Sequence, residues 1–127
     1  MAAGIQELVS NAKSQITLYS ADQARGLHGR GDTVFVDVRD EPELRTSGRI
    51  PGAVHASRGM LEFHIDPKSP YHNPAFHPGK EFVFYCKSGG RSALAAQRAR
   101  EMGLEKVASL EGGFPAWEKA AGPVERE

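Results

Sequence analysis

Hydrophobic positions in this chain come in short blocks whose period changes from one block to the next. EFVFY (81–85) and TVFVDV (33–38) are almost wholly β-branched or aromatic, the pattern of strands buried on both faces. QITLY (15–19), the end of IPGAVHA (50–56) and VASL (107–110) predict three shorter strands. Between these blocks the spacing turns helical. In RSALAAQRAREMG (91–103), Ala95, Ala99 and Met102 recur at i, i+4 and i+7, which predicts a stripe facing the core. Residues 5–12 predict a short leading helix, RGMLEF (58–63) one or two helical turns, and FPAWEKAAG (114–122) a closing helix.

Punctuation agrees with the blocks. Ser20 and Gln23 form a capping-box pair opening a helix that stops near Gly29. Asp40 and Glu43 repeat it, with Pro42 in the first turn, where its missing N–H costs little, and Gly48 at the end. Four prolines between Asp66 and Gly79 predict an ordered loop, expected to cover a pocket because loops of that length in compact domains are often functional. Strand and helix alternate from beginning to end. The fold class implied is α/β, a three-layer sandwich with a parallel sheet of about five strands and helices on both faces. In such sheets ligands bind outside the carboxyl ends of the strands.

Composition narrows the partners. A chain of 127 residues fits one domain, and 39% hydrophobic with 25% charged residues is ordinary for a globular protein rather than a disordered or fibrous one. Sixteen basic residues balance sixteen acidic ones, so no overall field gathers nucleic acid or an anionic membrane. No apolar run approaches membrane-spanning length and the first residues lack a signal-like pattern; a soluble, cytoplasmic protein is expected. A single cysteine, Cys86, forbids an intrachain disulfide and any Cys-x-x-Cys pair. The five histidines lack metal-ligand spacing with it, so no metal and no cofactor is implied.

A lone cysteine is ordinarily an inert buried hydrophobe. YCKSGGRS (85–92) argues otherwise, because Cys86 ends a buried strand and a helix begins a few residues later. Such a turn aims consecutive backbone N–H groups into one concavity, and the helix start adds partial positive charge. Gly89 and Gly90 permit that backbone, while Arg91 and Lys87 are expected to supply cations that favour the thiolate. Lys87, Ser88, Gly89, Gly90, Arg91 and Ser92 are thus the candidate binding residues around a nucleophilic Cys86, with Arg58 as a further candidate pocket cation. Asp37, in VDVRDE, reads as a structural acceptor at a strand end rather than an aspartyl nucleophile; Arg39 is expected to pair with Glu41 or Glu43, and Phe114 and Trp117 to lie in the core.

Four separated stretches resemble the rhodanese (sulfurtransferase) family. VFVDVRDEPEL is similar to its Asp-Val-Arg strand and following helix, and GRIPGAVHA to its Gly-His-Ile-Pro-Gly-Ala turn, with Arg49 in the usual His place. CKSGGRS resembles its Cys-x-x-Gly-x-Arg-Ser loop, and LEGGFPAW with AGPVE its carboxy-terminal signature, although Gly122 and Pro123 adjoin where one residue often intervenes. The resemblance runs from about residue 16 to 124 and implies a single rhodanese domain over 1–127 with Cys86 as catalytic residue. It further implies a persulfide on Cys86, an anionic donor such as thiosulfate or a persulfide, and a thiol or cyanide as acceptor, including a thiol on a protein. Two other readings remain: a non-catalytic rhodanese-like binding module, and a cysteine phosphatase or arsenate reductase. Related phosphatases place five residues between Cys and Arg; here there are four, and the smaller cradle suits sulfur better than phosphate.

Overall fold

The computed structural model describes residues 2–126. Strands β1 (Thr17–Tyr19), β2 (Thr33–Asp37), β3 (Val54–His55), β4 (Glu81–Tyr85) and β5 (Lys106–Leu110) form one all-parallel sheet in the order β1-β5-β4-β2-β3. Helices α1 (Ile5–Lys13), α2 (Ala21–Leu27), α3 (Glu41–Ser47), α4 (Leu61–Ile65), α5 (Gly90–Glu101) and α6 (Gly113–Lys119) connect and cover them, with a 3-10 turn at Arg58–Met60 before α4. The three-layer α/β expectation holds, with six α-helices rather than about five, and β1 begins at Thr17 rather than Gln15.

Period-two alternation in β4 divides the core. Phe82, Phe84 and Cys86 face the layer of α4 and α5, packing with Val36, Ala95, Ala96 and Ala99. Val83 and Tyr85 face the opposite layer with Phe35, Leu110, Phe114 and Trp117. The predicted stripe on α5 is present: Ala95 and Ala99 are wholly buried and Met102 packs against the same cluster. Small side chains there let the helix axis lie close to the sheet, so interior packing sets the height of the α5 start above β4.

Local signals explain the helix starts. Ser20 Oγ accepts the Gln23 N–H at 3.2 Å while the Ser20 N–H donates to Gln23 Oε1 at 2.9 Å, which is the predicted capping box. The Asp40 N–H donates to Glu43 Oε1 at 3.1 Å. Segment 66–79 contains neither helix nor strand, in keeping with the loop that its prolines predict. Its buried Phe76 stacks on Phe82 at the start of β4, 5.7 Å between centroids, because an apolar ring within a polar segment finds its burial at the nearest open stretch of core.

Arg39 does not pair with Glu41 or Glu43. Its guanidinium grips Asp37, Nη2 to Oδ2 at 2.7 Å and Nε to Oδ1 at 3.0 Å, and donates onward to Gly48 O at 2.7 Å and Ser47 Oγ at 3.0 Å. Residues two apart on an extended chain point to one side, so the nearest carboxylate is the one on the strand, whereas Glu41 and Glu43 begin a half-exposed helix. Both partners are buried, and the Arg39 head lies 4.5 Å from the Phe114 ring centroid. Burial opposes its charge, but the Asp37 carboxylate outweighs it and holds the guanidinium pKa above its ordinary value. No helix among the described residues is long and apolar enough to cross a membrane.

Candidate active site

Strand β4 delivers Cys86 to its carboxyl end between β2 and β5, and the alternation that buries Phe84 turns the sulfur toward the start of α5. Gly89 is the cap residue, with φ at +103°, a left-handed conformation that turns its N–H onto the sulfur at 3.1 Å. Ser92, wholly buried in the first turn of α5, places its hydroxyl oxygen 3.5 Å from Cys86 Sγ. Burial pushes the Cys86 thiol up; the Ser92 hydroxyl and the N–H groups of Ser92, Gly89 and Ser88 pull it down by more, so its pKa lies below the ordinary value. A concavity of donors therefore surrounds a thiol that is 0% exposed.

The cations expected beside the sulfur make no hydrogen bond to it, although the charge of Arg91 and that of the Cys86 thiolate favour one another. Arg91 makes a two-pronged bond to Glu43, Nη1 to Oε1 at 2.8 Å and Nη2 to Oε2 at 3.0 Å. Glu43 thus serves the α3 start and the loop at once, and the Arg91 bond is the main reason its carboxyl is pulled down to about 2. The guanidinium acts as a clamp from the loop to α3. Lys87 and Ser88 are exposed, and Gly90 opens α5 with its Cα side against Val9 of α1. Arg58, on the 3-10 turn, bonds Glu62 at 3.0 Å, and its backbone N–H donates to Val38 O, just past the end of β2.

A cleft of about 460 Å³ opens beside the loop, lined by Pro42, Thr46, Lys87, Phe114, Pro115 and Glu118 among others. Cys86 does not line it, because Lys87, the next residue, takes the opposite side of the chain. Three further residues shape the site without having been read from the sequence. Glu43, expected from the sequence to cap a helix or to pair with Arg39, meets Arg91 instead of Arg39. Gly113, at φ +63°, lies so close beneath the loop that a Cβ there would fall 2.2 Å from Lys87 O, while the next N–H, of Phe114, donates to Cys86 O at 2.9 Å. Ser109, a polar residue at an inward position of VASL, puts its hydroxyl 2.8 Å from Ser92 Oγ. Its lone polarity on a buried face was the available signal.

Comparisons with known proteins show the family and the fold. The family model described as Rhodanese-like domain matches residues 20–120. Over 89 residues, 70% of this chain and 77% of the other, the sequence is 35% identical to a Bacillus subtilis (strain 168) protein named "Putative sulfurtransferase YtwF". Among solved structures, a Rhodopseudomonas palustris protein described as of unknown function, "Possible Tyrosine Phosphatase", shares 50% identity at TM-score 0.94, over 98% of this chain and 96% of its own. The polysulfide-sulfur transferase homodimer of Wolinella succinogenes shares 30% identity at TM-score 0.71, over 94% of this chain and 85% of its own. The human single-domain sulfurtransferase shares 27% at TM-score 0.67, over 80% and 95%.

Proposed function

This chain belongs to the rhodanese-like domain family, and from that membership we propose that it is a sulfurtransferase carrying a sulfane sulfur as a persulfide on Cys86. The observation that carries the reading is the lone cysteine at a strand end, its sulfur receiving the Gly89 N–H at 3.1 Å beside the Ser92 hydroxyl. These donors favour the thiolate, which is the nucleophile.

In the first half-reaction the thiolate attacks the outer sulfur of a donor such as thiosulfate. A sulfur–sulfur bond forms to Cys86, the donor's sulfur–sulfur bond breaks, and its electron pair leaves with sulfite. In the second, cyanide or the thiolate of an acceptor attacks the terminal sulfur, the bond to Cys86 breaks, and the Cys86 thiolate is restored. A low-molecular-weight persulfide serves as donor by the same exchange, and a thiol on a protein as acceptor. Splitting the transfer into two displacements gives ping-pong kinetics. The anion on the persulfide's terminal sulfur would be met by the loop's N–H groups, as the thiolate is.

Sulfur is favoured over phosphate by two features. Only four residues separate Cys86 from Arg91, and the Arg91 guanidinium is committed to Glu43 rather than to the space above the sulfur. The test is incubation with thiosulfate or glutathione persulfide, followed by intact mass. The expected result is one added sulfur atom on the wild type, released as thiocyanate by cyanide and absent in Cys86→Ser. An unchanged mass with every donor, together with aryl phosphate hydrolysis that depends on Cys86, would replace this reading by a phosphatase.

A further inference from the structure

Ser109 lies on β5, 1% exposed, on the face of the sheet that α5 covers. Its neighbours Val107, Ala108 and Leu110 are apolar core residues, so its hydroxyl has a desolvation cost to offset. Among the described residues its one hydrogen-bond partner is Ser92 Oγ, at 2.8 Å. Ser92 Oγ also lies 3.2 Å from Gly89 O and 3.5 Å from Cys86 Sγ, yet the Ser92 hydroxyl has a single hydrogen to give.

We propose that Ser109 is a positioning residue: its buried hydroxyl donates to Ser92 Oγ and thereby commits the Ser92 proton to the Cys86 sulfur when that sulfur is anionic. Were Ser92 to donate to Ser109, the Ser109 hydrogen would be left buried without a partner, so Ser109 donates and Ser92 accepts. Gly89 O does not need the Ser92 proton, because the Ala93 N–H already bonds it at 3.1 Å. The chain Ser109 to Ser92 to sulfur then satisfies every group.

The two protonation states respond differently to loss of Ser109. With a neutral thiol, Ser92 can accept from the S–H and donate to Gly89 O, and remains satisfied. With a thiolate, Ser92 must donate to sulfur, and without Ser109 its own oxygen is left without a donor. Removing Ser109 therefore penalises the thiolate alone. Of the other charged and titratable groups near this end of the sheet, Arg91 bonds Glu43 yet its charge still acts on Cys86 and is the same in wild type and Ser109 variants; Arg39 bonds Asp37, Arg58 bonds Glu62, Tyr85 accepts the Ile50 N–H, and Lys87 and Glu111 lie at the surface.

The proposal rests on Cys86 being the nucleophile, but its test needs no sulfur donor. Because Cys86 is the only cysteine, the ultraviolet absorbance of its thiolate can be titrated directly against Cys86→Ser as blank. Ser109→Ala is expected to raise the Cys86 pKa by roughly half to one unit, the size of one hydrogen bond felt by a single protonation state. The acid limb of kcat/KM is expected to move by the same amount. Ser109→Thr should restore both and Ser109→Val should not; these two match in shape, so they carry the comparison if the Ala variant folds poorly. In a Ser92→Ala background, Ser109→Ala should shift nothing further. An unmoved titration in Ser109→Ala and Ser109→Val, or an equal shift in the Ser92→Ala background, would overturn the relay. A protein that shows the expected titrations but never accepts sulfur would instead refute the sulfurtransferase reading.

Discussion

Burial and hydrogen bonding act in opposite directions on Cys86, and the residues around it determine which prevails. A wholly buried thiol with no donors would be raised above the usual cysteine value of about 8.5 and inert at neutral pH. Here the Ser92 hydroxyl and three backbone N–H groups reverse the sign. A lowered thiol pKa means the thiolate persists as pH falls, until it is protonated near the lowered value. The pH profile of kcat/KM should therefore reach its plateau below the ordinary thiol range, and Ser92→Ala should move the acid limb upward by about one unit, as loss of one hydrogen bond to a charged group predicts. If the limb stays in place in Ser92→Ala, the hydroxyl does not stabilise the thiolate. The lone cysteine and its glycines could be read directly from the sequence. That Ser92 faces the sulfur while Arg91 turns to Glu43 could not, because adjacent residues in the first helical turn point about 100° apart and only packing against α3 selects which one faces inward.

Elements hold the loop from two sides. From α3, Glu43 meets Arg91; its carboxyl is held at about 2 against an ordinary 4.5, chiefly by that bond. A depressed carboxyl pKa contributes stability that is complete above 4.5 and lost as pH falls toward 2. Glu43→Gln is expected to cost about 1 kcal/mol at neutral pH, since the pair is partly exposed, and to remove that acid-side dependence. Denaturant midpoints measured at neutral and at acid pH would check this, the difference between wild type and variant narrowing at the lower pH. From α6, Gly113 supports the loop from beneath. Gly113→Ala sets a Cβ 2.2 Å from Lys87 O, and a left-handed alanine adds about 1–2 kcal/mol of its own. Such a shift of the loop should lower kcat at least about a hundredfold, measured as thiocyanate formation, with a lowered melting temperature. The sequence signalled both elements, as a capping box and a Gly-Gly pair. Their contact with the loop could not be read, since Glu43 and Arg91 are 48 residues apart and meet only after β2 and β4 pair.

For the molecule as a whole, one buried ion pair joins the layers. Arg39 links the end of β2, the end of α3 and the aromatic rings of β4 and α6. Arg39→Met would leave Asp37 buried without its partner and should destabilise the fold by about 3–5 kcal/mol. Asp37→Asn with Arg39→Met should recover much of that loss in urea denaturation; an equal loss in the double variant would show that packing rather than charge is at stake. The β-branched runs, alternating helices, caps and single cysteine determine by themselves an α/β parallel sheet with a cysteine loop at a strand end, because each is a property of neighbours in the chain. Which partner each charge takes was decided by the tertiary structure. Asp37 claims Arg39, Glu43 claims Arg91, Ser109 reaches Ser92, and segment 66–79 anchors Phe76 against Phe82. Pairing depends on distances across the sheet and on which side chains lose their water. YCKSGGRS thus pointed to Cys86, while the fold supplied the Gly89 N–H and Ser92 hydroxyl that lower its pKa.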